Sequence, residues 1–145
     1  MSEACKEILI DAPAATIFPF LIDADKFVLW MGTEARLEPA VGGEYFVLVA
    51  GKHPAVGEFV EVVPNEKVVF TMGWDEPNHP IPAGSTEVEI TLTAQGAATM
   101  VRLVHRGLPD DAVTDHEGGW GFYLDRLQTV VDGGDPGPDS SHDDD

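Results

Sequence analysis

One stretch governs what this chain can fold into: TDHEGGWGFYLDRLQTVV, residues 114–131. It is the one segment long enough, and apolar enough along one side, to cover a sheet. At about 100° per residue, His116, Trp120, Tyr123, Leu124, Leu127, Val130 and Val131 fall on a single face. Thr114 and Glu117 have the spacing of a capping box, so the pattern predicts a helix over Asp115–Val131. Gly118, Gly119 and Gly121 work against that helix, since each costs about 1 kcal/mol relative to alanine. The C-terminal half therefore reads as a firm clamp, and the N-terminal half as a thin segment beside a histidine and a tryptophan. Such thinning fits a gap left between the start of the helix and the surface it covers. The alternative to this cavity is a second backbone packed close against the glycines.

The surface to be covered is written in the preceding residues. After Gly32 the apolar period falls to two. EARLEP, EYFVLVAG, EFVEVV, KVVFTMGW, STEVEITLT and TMVRLVHRG read as strands, joined by turns such as VGG, PNE and QGAA. Val88, Ile90 and Leu92 share one face, as do Val101, Leu103 and His105. Met100, Arg102, Val104 and Arg106 are assigned to solvent. The inward register is ambiguous over residues 58–63 and 67–74, where apolar residues occupy both faces. Glu34, Arg36 and Glu38 alternate and read as a solvated ion-pair ladder. Ahead of these strands, KEILID reads as a first strand. Two short helices follow, with Pro19 breaking the first and Gly32 ending the second. Short turns make the sheet antiparallel. The expectation is an α+β fold: one domain over residues 1–131, then an acidic tail, residues 132–145, that buries nothing and is flexible at least towards its end.

Composition narrows the function. The net charge is −18, and six aspartates lie in residues 132–145, which leaves −12 on residues 1–131. Such a field repels nucleic acid. No run of about 18 apolar residues predicts a membrane span. The N-terminal residues lack the pattern of a secretory signal, and Cys5 is the sole cysteine, so a reduced, cytoplasmic location is expected. His53, His79, His105, His116 and His142 show no HxxxH or HExxH spacing, so neither metal nor cofactor is expected. There is no G-x-S-x-G elbow, and VGGEY precedes a strand rather than the helix a phosphate loop requires. The proline-rich loop DEPNHPIPAG either covers a pocket entrance or simply crosses the surface.

The ordered series IFPFLIDADKFVLWMGTEARLEP, VGGEY, GEFVEVVPNEKVVFTMGW, STEVEITL, VRLVHRGLP, HEGGWGFYLDRL and GGDPGPD resembles homologues of the activator of heat-shock-protein-90 ATPase. These lie within the START-like, birch-pollen-allergen-like (SRPBCC) superfamily, and the similarity runs from Lys6 to Asp139. The resemblance implies a helix-grip fold, in which a curved antiparallel sheet wraps a long C-terminal helix, with two short helices after the first strand. It also implies an internal cavity for an apolar or amphipathic small molecule. The eukaryotic co-chaperone carries a separate N-terminal domain, whereas a stand-alone domain is expected here.

Ligand cavities are mostly apolar and aromatic with few polar groups. On that basis Trp30, Tyr45, Phe70, Met72, Trp74, Ile90, Leu103 and Trp120 are the candidate lining, with His105, His116 and Tyr123 as polar points. The leading expectation is small-molecule binding. A chaperone-associated interaction module, suggested by Phe122, the acidity and the family, comes second. A cyclase- or hydrolase-type enzyme using His105 or His116 comes last, and catalysis is not the expectation.

Overall fold

The structure, a computed structural model, describes residues 2–137 and 139. Among these residues, seven strands form one antiparallel sheet: β1 (Ser2–Ile10), β2 (Glu34–Leu37), β3 (Glu44–Val49), β4 (His53–Val63), β5 (Lys67–Trp74), β6 (Thr86–Gln95) and β7 (Ala98–Leu108). Their order is β1-β7-β6-β5-β4-β3-β2, so the chain runs as a meander from β2 to β7 and β1 closes the far edge. Three one-turn helices, α1 (Ala14–Ile17), α2 (Pro19–Ile22) and α3 (Ala24–Phe27), bridge β1 and β2. After a 3-10 turn at Asp110–Ala112, α4 (Val113–Val131) lies across the inner face of the curved sheet. This is the helix-grip arrangement.

The local reasons are plain. Pro19 has no amide hydrogen to give to α1, and stands instead in the first turn of α2. The Asp23 side chain accepts from the Asp25 amide and starts α3. Gly32, at φ +84°, turns the chain out of this region, and a Cβ there would meet Val47 Cγ1 at 2.5 Å. Alternation buries Val88, Ile90 and Leu92 on β6 and Val101, Leu103 and His105 on β7.

The ambiguous stretches are resolved by a bulge. Phe59 pairs with Phe70, but Glu61 pairs with Val69, so β4 carries one extra residue at Val60. Ala55 and Phe59 point inward before it, Val62 packs on the core after it, and Val60 is left exposed. On β5 the inward set is Val68, Phe70 and Met72. Val104, assigned to solvent from alternation, is buried, while Arg102 and Arg106 on its face reach acidic partners. Arg36 contacts Glu34 at 3.6 Å and Glu44 at 3.3 Å, an exposed cluster of small energetic weight.

Two expectations at the C-terminal end are corrected. The helix starts at Val113, with Ala112 as its N-cap and no capping side chain. Glu117 turns to the Cys5 amide, 3.4 Å away, so the Thr114–Glu117 capping box does not form. The segment after Val131 is not free of burial either. Arg126 on α4 is buried, donating to the Pro136 and Gly137 carbonyls at 3.1 and 2.8 Å and to Trp30 O at 2.8 Å. Asp139 is only 2% exposed and accepts from the Gly32 amide (2.6 Å), the Ala50 amide (3.0 Å) and the Tyr123 hydroxyl (2.8 Å). The flexibility expected of the tail's last residues, 140–145, falls outside the described residues.

Candidate functional site

Where α4 begins, it does not close on the sheet. A pocket of about 170 Å³ lies between its first turns and the strands. Its wall is Asp115, His116, Gly119, Trp120 and Tyr123 from α4, Met72 and Trp74 from β5, Val49 at the end of β3, and Met31 just after α3. The glycines take distinct roles. A Cβ on Gly119 would have nothing within 4 Å, and this residue lines the pocket. A Cβ on Gly118 would also meet nothing, but Gly118 faces solvent. On Gly121 it would meet only the Lys6 side chain, at 3.6 Å, an ordinary contact. No backbone approaches closely at any of the three, so a tight helix–backbone crossing does not explain them.

Behind Trp120 lies a fully paired polar network. Thr86 Oγ1 donates its proton to the Met72 carbonyl at 2.6 Å, so at His105 Nε2, 2.7 Å away, it must accept. Trp120 Nε1 donates to His105 Nδ1 at 3.1 Å. Both contacts require the same species, a neutral imidazole protonated at Nε2. Burial agrees: it pushes the His105 pKa down to about 3, with the neighbouring His116 adding to the effect. His105 thus holds the Trp120 indole against β6 and β7 and has no ring nitrogen left for a ligand.

His116 differs. Its Nδ1 donates to the Ala112 carbonyl at 2.9 Å, which places the proton there. Nε2 has no hydrogen-bond partner among the described residues, and the ring is half-buried in the pocket wall. The two imidazoles stand edge to face with centroids 5.2 Å apart.

Of the eleven candidates read from the sequence, Met72, Trp74, His116, Trp120 and Tyr123 meet around this pocket. Trp30, Tyr45, Phe70, Ile90, Leu103 and His105 lie elsewhere, in the packed core. Alternation and helical phase report that a residue points inward, and most inward residues touch other side chains rather than a void. Tyr45 stacks on Phe70 at 4.0 Å and Trp30 packs on Phe27 at 4.7 Å, and both are sealed. Met31, Val49, Asp115 and Gly119 were missed. Gly119 had a signal, since it borders the apolar face beside Trp120. The others enter through tertiary placement alone. None of residues 75–85 lines the pocket; Ile81 instead packs with Ala4 and Leu108 in a second small core.

A long helix gripped by a curved sheet, open at its first turns, defines a helix-grip protein. The model of the family described as "Activator of Hsp90 ATPase homolog 1-like protein" matches residues 11–132, and the chain belongs to that family. The AHSA1-like protein RHE_CH02687 from Rhizobium etli is 44% identical, with a TM-score of 0.74 over 95% of this chain and 86% of that one. MLL2253 from Mesorhizobium loti superposes with a TM-score of 0.82 at 20% identity, covering 92% of this chain and 99% of that one. The Aha1 dimer from Colwellia psychrerythraea gives 0.77 at 20% identity, covering 90% and 96%. The last two share the fold. A comparison with curated proteins gives no match. Among the described residues no helix is long and apolar enough to cross a membrane, and no cluster of three or more His, Cys, Asp or Glu is placed to hold a metal.

Proposed function

We propose that this protein binds a small apolar or amphipathic molecule in the pocket beneath the first turns of α4. The observation that carries the reading is Gly119. A helix that clamps a sheet gains about 1 kcal/mol from alanine at such a position, and here the extra methyl would meet nothing. Gly118 shares that open surrounding but faces solvent, whereas Gly119 lines the pocket, so there the missing side chain leaves its volume to the pocket. The wall of Met31, Val49, Met72, Trp74 and Trp120 supplies the apolar surface that rewards a ligand for leaving water. The engagement of both His105 nitrogens argues against this imidazole as an acid or base. A chaperone-directed role has the family description as its support, and Phe122, which suggested a partner, packs at 5.2 Å on the neighbouring Tyr123 ring.

Gly119→Leu and Gly118→Ala separate space from stability. Purified wild-type protein should carry, or take up, an apolar small molecule detectable by native mass spectrometry. Gly119→Leu should lose that uptake, while Gly118→Ala should keep it and unfold at higher denaturant by about 1 kcal/mol. Undiminished uptake by Gly119→Leu would remove the pocket as the binding place.

A further inference from the structure

Resting on the binding role proposed above, we infer that the pocket selects a neutral, single-ring hydroxyl compound of the phenol class, with its hydroxyl donating to His116 Nε2. Three observations converge on that chemistry. The first is size. A pocket of about 170 Å³ is close to the roughly 150 Å³ that admits one benzene ring. It falls well short of the 300–1,000 Å³ that drug-sized ligands occupy. A lipid chain or a fused polycycle would have to project beyond it.

The second is polarity. The wall is mostly thioether, aliphatic and indole surface, and Trp120 has given its N–H to His105 and Tyr123 its O–H to Asp139. His116 Nδ1 donates to the Ala112 carbonyl, so the tautomer of its uncharged form that keeps this bond carries its lone pair on Nε2. An unpaired acceptor at an apolar wall rewards a ligand that brings a donor and penalises one that does not. The third is charge. No Lys or Arg lines the pocket, Asp115 stands at its edge, and residues 1–131 carry −12. A carboxylate of the same size would enter an anionic field with no counter-charge.

The test titrates phenol, toluene, benzoate and palmitate into wild type, His116→Phe and His116→Gln, following the Met31 and Met72 methyl resonances. Phenol and toluene have the same shape, so the change in their affinity ratio between proteins isolates the hydrogen bond from their different hydration. The phenol-to-toluene ratio should fall about tenfold in His116→Phe and be largely kept in His116→Gln, whose amide oxygen restores an acceptor. Benzoate should bind at least about tenfold more weakly than phenol. An unchanged ratio in His116→Phe, benzoate matching phenol, or palmitate displacing phenol would each overturn the inference while leaving the pocket a binding site. Absence of any methyl shift with every probe, together with wild-type uptake of an apolar molecule unaffected by Gly119→Leu, would overturn both readings.

Discussion

Tyr45 Oη is the one buried side-chain oxygen without a hydrogen-bond partner among the described residues. Its ring is stacked on Phe70 at 4.0 Å and edged by Phe27 and Phe59 at 6.2 and 6.0 Å, so the aromatic packing holds it in place whatever the hydroxyl does. Burial drives its ionisation far above the ordinary phenol range, so the group is neutral and simply desolvated. An orphaned buried hydroxyl costs about 1–3 kcal/mol, whereas the phenylalanine ring has the same shape without that penalty. Tyr45→Phe should therefore raise the urea midpoint, corresponding to a gain of about 1 kcal/mol. A loss of stability would show that the hydroxyl has a partner. His105 is the opposite case: every polar atom of its ring is matched, and it reads as a positioning group for Trp120 rather than as a reactive one.

At the scale of elements, Pro136, Gly137 and Asp139 act as a strap. Asp139 receives amide hydrogens from Gly32 and from Ala50, two residues with positive φ whose local chain offers them no partner in a regular ladder. Each follows a pocket-lining residue, Met31 and Val49, and the third donor, Tyr123, is itself in the wall. The strap thus fixes one side of the pocket from outside. Asp139→Ala would leave two buried amides unsatisfied and should cost about 2–4 kcal/mol. Thermal unfolding measures this, and a change near zero would mean that water replaces the carboxylate. The motif GGDPGPD contained the signal, but its composition of glycine, proline and aspartate reads as solvated coil. Only the position of the carboxylate over two orphan amides makes it structural.

For the whole molecule, the His105 network ties β6, β7 and α4 together, and its proton balance reaches global stability. The folded imidazole has a pKa near 3 against an ordinary 6.5. Below about pH 6.5 the unfolded chain takes up a proton that the folded one refuses, so stability falls as pH drops from there towards 3. The slope is at most roughly 1.4 kcal/mol per pH unit from this group. Denaturant titrations at pH 7, 5.5 and 4 should show a smaller decline in His105→Gln than in wild type. Equal declines would mean that the imidazole takes up its proton without loss of the fold.

The sequence by itself determined the strands, the closing helix, the inward faces of β6 and β7, and the thinning at Gly119, because period, turn residues and glycine content are local properties of a backbone and its side chains. It also carried the family, whose markers keep their order along the chain. It did not determine which inward residues meet a void and which meet each other: Trp74 and Trp120 frame the pocket while Trp30, equally aromatic, is sealed in the core. Nor did it reveal the Val60 bulge, the buried Arg126 or the Asp139 strap. Those depend on how elements distant in the chain are placed against one another. Hydrogen-bond partners and empty volume are set by that placement, and no stretch of sequence encodes them alone.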